Sequence, residues 1–487
     1  MKLLIALIPP ILLLSEENLT NIPKRTLNSN MTLNYQLTPP DVQNVNDFFD
    51  SGIFYGRLRF NNFFYKANSH TDAKDYFLGG VGSSLIYKSA FLNGFGFTTG
   101  LYTSQVIGDR EQELATAYKS GKDVLSRYDV ATQDYYGLTT LAELFVEYKS
   151  KKSRIKVGYF PLETLLLKSN DTKMIPNTFE GIHLSSTPLP KTELQVAYIS
   201  QQKLRDHTEF HHILAYGKSP NSPYSQWSEN DDGAMHRGLT LNRLTEKSID
   251  DELFLLEVKD RTFQDTTLKA SYTALPNLLS SLIVDGKHKF QLNSDLSISP
   301  SLRYMRQFDL GAGAIGGANL KTNTTGYHDV DSLDSSLIAG RIDFAKENNR
   351  LRFGYSKVED AGDIVAPWRG FPTGGYTRAM GQTNWYANTE SFMVRADHDF
   401  SKTPILKGLK GMVRYNINNF DDSKEGVQAD NQVLTIDFIK NFNSMPNFST
   451  KLRTAFVTGD RDTPIENGST KKDPSYKEIR FEMNYLF

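Results

Sequence analysis

The last eleven residues constrain the fold more than any other stretch. In KEIRFEMNYLF, Ile479, Phe481, Met483, Tyr485 and Phe487 share one face of an extended chain, and Glu478, Arg480, Glu482 and Asn484 share the other. Strict alternation of this kind describes a strand with one dry side and one wet side. A soluble sandwich could supply both, but would rarely end on an aromatic residue aimed at its core. A barrel in the outer membrane does end so, because its terminal strand closes the sheet and the aromatic end sits at the interface.

The same period recurs from Gly52 onward. Phe54, Leu58 and Phe60 oppose Arg57 and Arg59; Ile155, Val157 and Tyr159 oppose Arg154 and Lys156; Leu351, Phe353 and Tyr355 oppose Arg350 and Arg352. Phe392, Val394 and Phe400 oppose Arg395, Asp397 and Asp399, and Val413, Tyr415 and Ile417 oppose Lys410 and Arg414. Reading the whole chain this way gives about 18 strands, from 52–66 to 475–487, an even number suited to a single-chain barrel. Weak alternation between 251 and 292 leaves 16 open. Short joins such as Ser150–Lys152 and Glu347–Asn348 alternate with mostly longer ones, among them 107–136, 161–177, 204–250 and 360–389. Short periplasmic turns and long extracellular loops have that asymmetry. The fold class is therefore all-β, a transmembrane antiparallel up-and-down barrel.

Composition agrees. Only 39% of residues are apolar and mean hydropathy is −0.44, yet aromatics reach 12%. A wet-lumened barrel would place those rings in its outer lipid band and interfacial girdles. The chain has no cysteine, which excludes disulfides and thiolate metal sites. A net charge of −1 gives no global attraction to nucleic acid. Residues 1–15, one Lys before an apolar run broken by Pro9 and Pro10, read as a secretion signal. Residues 16–50 read as a polar lead-in, and 51–487 as one barrel domain. Outer-membrane lipids are the expected surroundings.

Several stretches resemble the OprD-like outer-membrane porins, in the branch of major Opr-type porins. They are FYGRLRFNNF (Phe54–Phe63), GGVGSSLIYKSAFLNGFGFTTGLYTSQ (Gly79–Gln105), MIPNTFEG (Met174–Gly181), PWRGFPTGGYTRAMGQTNW (Pro367–Trp385) and the final FEMNYLF. The resemblance implies an 18-stranded monomer whose lumen is narrowed by infolded loops and passes small hydrophilic solutes, amino acids or small carboxylates among them. The residues alone leave a homotrimer open. By the same resemblance, loop 161–177 folds inward and brings Glu163, Asp171 and Lys173 to the narrowing. Its Leu165, Leu166 and Leu167 suggest that part of it packs against the wall.

Parity assigns a set of charges to the lumen. The basic ones are Arg57, Arg59, Arg154, Lys156, Arg303, Arg341, Arg352, Arg395, Arg414, Arg453 and Arg480; the acids include Glu143, Glu147, Glu193, Asp343, Asp397, Asp437, Glu478 and Glu482. A row of guanidinium groups offers a carboxylate successive loose stations. The competing expectation is that each arginine pairs with an acid on the next strand and fills a polar interior.

Other motifs rank lower. GAGAIG (Gly311–Gly316) matches a dinucleotide fingerprint formally, but no βαβ unit surrounds it. His207, His211 and His212, with Asp206 and Glu209, are the best metal candidates if their loop is helical, though a solvated polar loop is the favoured reading. His183 and His398 have no matching nucleophile, so no enzyme and no cofactor is expected. The rival to a passive pore is a structural or adhesive surface barrel whose long loops bind partners.

Overall fold

The structure is a computed structural model describing residues 24–28, 32–68, 73–112, 118–216, 221, 235–465 and 468–487. The expected signal segment 1–15 lies outside the described residues. Eighteen long strands form a closed sheet, each antiparallel to the next: β1 Ile53–Ala67, β2 Tyr76–Lys88, β3 Phe95–Gly108, β4 Gly137–Lys149, β5 Ser153–Phe160, β6 Thr178–Leu189, β7 Thr192–Lys203, β8 Leu253–Asp260 and β9 Thr266–Leu275, then β10 Leu279–His288, β11 Leu296–Asp309, β12 Ser335–Lys346, β13 Asn349–Val358, β14 Glu390–Asp399, β15 Leu409–Asn419, β16 Asn431–Phe442, β17 Met445–Gly459 and β18 Tyr476–Leu486. Every strand predicted from alternation is present, including those between 251 and 292, so the count is 18 rather than 16. No helix among the described residues is long and apolar enough to cross a membrane; strands do the crossing.

β18 closes on β1, with Tyr476 opposite Ala67 and Leu486 opposite Arg57. The terminal residue extends the pairing: the Gly56 N–H donates to the Phe487 carbonyl (2.8 Å) and the Phe487 N–H to that of Gly56 (3.0 Å). Gly56 leaves room for the Phe487 ring, which a Cβ there would meet at 2.1 Å. On the outer face Phe54, Leu85, Val146, Leu256, Leu302, Phe353, Val413 and Ile479 are exposed, as the apolar halves of their strands require.

The aromatic residues are not all outside. Trp368 and Trp385 are fully buried, and Tyr55, Phe63, Tyr102, Phe160 and Phe179 are buried on inward faces or under loops. The long loops fold in and carry their own apolar core, joining Leu166, Ile213, Leu320, Val365 and Trp368 to wall residues such as Leu255, Ile283 and Leu337. A lumen that admits loops needs rings to pack them, which the wet-lumen argument from composition left out.

The lead-in is also more than a leader. Arg25–Leu27 and Leu33–Tyr35 form a small hairpin, and Asp41–Val42 pairs with Phe91–Leu92 beside the first short turn. Arg25 is buried against the inward face of β1: its Nη2 donates to the Gly56 carbonyl (2.8 Å), and its guanidinium stands 5.3 Å from the Tyr55 ring. The hairpin therefore occupies the lumen near the short-turn end.

Candidate functional site

Loop 161–177 is held down by charge. Arg59 Nη1 and Nη2 donate to the two Asp171 carboxylate oxygens (2.6 and 3.0 Å), and Arg57 Nη1 lies 3.5 Å from Oδ2. Both arginines and the aspartate are buried. Burial pushes the Asp171 carboxyl up, but Arg59 and then Arg57 outweigh it and hold it below the usual carboxylate range. Asp171 thus serves as an anchor, its charge facing the two guanidiniums. Glu163 is tied inside its own loop, accepting from the backbone N–H and hydroxyl of Ser169. Of the three charges expected at the narrowing, Lys173 lines it, with its ammonium 2.6 Å from Glu482.

The same loop pairs with 360–389. The Lys168 N–H donates to the Trp368 carbonyl (2.9 Å) and that of Gly370 to Leu166 (2.7 Å). A Cβ on Gly370 would meet the Leu166 backbone at 2.3 Å, so the WRG motif needs its glycine for this seam. The three leucines pack partly on the wall and partly on this second loop.

The inward arginines divide into groups. Arg303, Arg341 and Arg352 cradle loop 360–389: they donate to the carbonyls of Pro372 (2.8 Å), Gly375 (2.8 Å) and Gly375 again (3.3 Å). Arg303 also holds Asp285 (2.7 Å), and Arg352 holds Asp343 (2.5 Å). Arg154, beside Glu147 (3.2 Å), and Lys156, over the Phe145 ring, form a separate patch on β5, and Glu143 accepts from the Tyr102 hydroxyl (2.6 Å). None of these four lines the chambers described next. Arg352, Arg395, Arg414, Arg453 and Arg480 do.

Two chambers lie along the lumen on the side of β13–β18. The outer one, about 440 Å³, is lined largely by the long loops; the inner one, about 870 Å³, lies toward the short turns and is bordered by Asn28 of the hairpin. Both are bordered by Thr172, Lys173, Arg414, Arg453 and Arg480, which mark the partition between them. Among the described residues, twelve basic and two acidic side chains line the outer chamber, against nine and five in the inner. Counted over the described residues, the outer chamber is the more strongly cationic.

Register explains how the partition holds its charge. Arg352, Arg395 and Arg414 face one another across β13, β14 and β15, and Arg453 faces Arg480 across β17 and β18. Such like-charged neighbours are costly unless acids interleave. Here Asp397 lies 2.5 Å from Arg395, Asp437 2.5 Å from Arg453 and Glu478 2.7 Å from Arg480. Among the described residues Arg414 forms no ion pair; its Nη1 donates to the Arg378 carbonyl (3.2 Å). Parity found the wall residues, but Lys119, Lys122, Arg237, Lys321, Arg369, Arg378 and Lys472 reach the outer chamber from loops, where alternation carries no signal. Only the PWRGFPTGGYTR motif pointed near two of them.

The histidine loop is not helical. His211 Nδ1 lies 2.8 Å from the His212 carbonyl, His212 Nδ1 lies 2.5 Å from Asp251, and His207 packs against the rings of His211 and Tyr216. No group of three or more metal-ligating side chains occurs among the described residues. The GAGAIG run does form a short helix, Ala312–Gly316, which the sequence reading missed; it is followed by loop, without a βαβ unit.

A closed 18-stranded barrel with an outward apolar band and two charge-lined chambers is an outer-membrane channel for small solutes. The chain belongs to the OprD family of outer membrane porins, whose family model matches residues 114–485. Its fold is similar to that of Pseudomonas aeruginosa OpdK, solved with vanillate (TM-score 0.68, 16% identity, 90% of this chain and 99% of that one). It is likewise similar to Acinetobacter baumannii OccAB2 (0.66, 20%, 91% and 99%) and to P. aeruginosa OccK2, solved with glucuronate (0.64, 15%, 90% and 99%). No curated protein sequence matches the chain. Family and neighbours are porins, not enzymes, and the protein is placed in the bacterial outer membrane.

Proposed function

We propose that the channel is passive, without a catalytic step, and favours small solutes that carry a carboxylate. The observation that carries this reading is the like-charged register of Arg352, Arg395 and Arg414 and of Arg453 and Arg480. Acids interleave with four of these five guanidiniums, and Arg414, which forms no ion pair among the described residues, stands among them as the station best placed to meet a visiting carboxylate. Lys173, Arg395, Arg414, Arg453 and Arg480 are then the stations along the path. Arg57, Arg59, Arg303, Arg341 and Arg352 hold the loops that shape it, with Asp171, Asp343 and Glu163 as their supports. Arg154, Lys156 and Glu143 stand apart and are assigned no solute contact. Vanillate and glucuronate, the molecules found with two similar porins, both carry carboxylates, which supports the same preference here.

The interleaved acids keep four of the five stations loose, so that a bound anion can leave. Residues 1–15 are assigned to secretion and 16–50 to the lead-in. An apolar band on every strand favours a monomer bathed in lipid over a homotrimer, which sedimentation in detergent distinguishes. Liposome swelling with acidic, neutral and basic amino acids tests the solute reading. Acidic ones should enter fastest, and Arg414→Ala should narrow the gap. Equal rates for all three would remove the preference.

A further inference from the structure

On the lipid-facing side of β12, β13 and β14 the apolar band is interrupted by a groove of about 460 Å³. Ile342, Phe353, Tyr355, Phe392 and Val394 stand around it, with Gly340 among them. Register puts Gly340, Tyr355 and Phe392 in one row across the three strands, and Ile342, Phe353 and Val394 in the next row toward the short turns. The rings of Tyr355 and Phe392 lie 5.1 Å apart along one border. We propose that this groove seats one phosphate-bearing lipid of the surrounding leaflet, with an acyl chain over Gly340 and the headgroup phosphate on Lys357.

Gly340 is the first reason. Glycine weakens a strand interior and often marks a place where another group comes close. Gly354 on β13 has such a group within the chain, since a Cβ there would meet the Tyr376 carbonyl at 2.5 Å. The outward Gly286 is covered by Leu268, at 3.5 Å. A Cβ on Gly340 would meet nothing within 4 Å. Gly381 and Gly468 share that openness, but their φ angles of 71° and 81° account for them. Among the described residues Gly340 stands alone: neither a contact in the chain nor a left-handed backbone calls for it.

Lys357 is the second. It lies on the same outward face one row nearer the long loops, about 7 Å along the strand from the Gly340 row. Its Nζ donates to Asn388 Oδ1 (2.8 Å), and among the described residues it forms no ion pair. The outward Arg306 on β11 is already held by Glu359 (3.0 Å). Glu390, opposite Lys357 in the register, accepts from the Tyr355 hydroxyl (2.7 Å). Lys357 thus keeps donors for an oxyanion where the apolar rows give way to charge. Phe353, Phe392 and Val394 are exposed around the groove, and their surroundings in an outer membrane are hydrocarbon. Since lipid tails are as apolar as the wall, burial alone gives a chain no preference for this place. Filling the groove restores dispersion contacts that an empty one forfeits, and the lysine fixes the headgroup above it.

Native mass spectrometry of the protein released from detergent tests this. The probe is palmitoyl-oleoyl phosphatidylglycerol, compared with palmitoyl-oleoyl glycerol, which lacks the phosphate. One phosphatidylglycerol per chain should bind about fivefold more tightly than the glyceride. Gly340→Phe fills the groove and should weaken phosphatidylglycerol about tenfold. Ala396→Phe, on the outward face of β14 but outside the groove, should leave binding unchanged. Lys357→Gln should bring the two lipids to about equal affinity. Equal affinity for the native chain, or binding untouched by Gly340→Phe, overturns the proposal, and so does an equal loss in Ala396→Phe. A native dimer that Gly340→Phe splits would put a second copy of the chain in the groove, which also overturns it. Should Gly340→Phe fail to fold, Lys357→Gln decides, because a phosphate preference that survives there removes the contact on which the seat depends.

Discussion

The two chambers share five residues at the partition and differ in how their charge is held. The inner chamber takes its charges mostly from strands, where Asp397 sits beside Arg395 and Asp437 beside Arg453. Its cations and anions alternate along rigid walls. The outer chamber draws lysines and arginines from loops, with two acids among its described lining residues. The difference suggests a division of labour: the outer chamber gathers anions by a net field, and the inner one passes them by short exchanges between paired groups. A field raises the local concentration of a solute without fixing it, whereas interleaved acids lower the depth of each station so that release is quick.

The largest effect should come from removing the support beneath the partition. Asp171→Ala leaves Arg57 and Arg59 buried without their carboxylate, a loss on the order of 3–5 kcal/mol for a buried pair. Loop 161–177 should then leave the wall, thermal unfolding in detergent should occur at lower temperature, and single-channel conductance should rise. Unchanged stability together with unchanged conductance would show that the anchor bears no strain and that the chambers are not divided by this loop.

Next in size is neutralisation of the outer lysines. Lys119→Gln, Lys122→Gln, Lys321→Gln and Lys472→Gln together should slow entry of a small carboxylate from the long-loop side about tenfold at low salt, with little effect in 1 M KCl, where screening is nearly complete. A loss of equal size at both salt concentrations would mean that the lysines act through shape. The smallest effect is expected from the inner chamber. Asp437→Asn removes the partner 2.5 Å from Arg453 and should raise anion preference about two- to threefold. If it lowers that preference instead, Asp437 shapes the passage, and its pairing does not temper Arg453.

How much of this was legible in the sequence depends on which part of the chain is asked. Alternation located all eighteen strands, because a lipid-facing side chain and a lumen-facing one must differ at every step. It also put Arg395, Arg414, Arg453 and Arg480 on the inner face. It could not separate them from Arg303 or Arg341, which share the same parity but meet loop carbonyls. Parity gives a face and carries no information on height or on what folds across it. For the same reason Asp171 was legible as a charge in an infolding loop, while its engagement by Arg59 depended on a contact more than a hundred positions away. The outer lysines were invisible, since loops have no period. Composition put the rings in an outer girdle in general, and could not say that loops would carry some inward, as they do Trp368 and Trp385.

The zero-current potential under a tenfold KCl gradient tests the comparison most directly, with native protein, the four-lysine variant and Asp437→Asn measured side by side. The account predicts an anion-selective native channel, a shift toward zero when the outer lysines are neutralised, and a shift away from zero for Asp437→Asn. A cation-selective native channel, or the two variants moving the potential in the same direction, would contradict it.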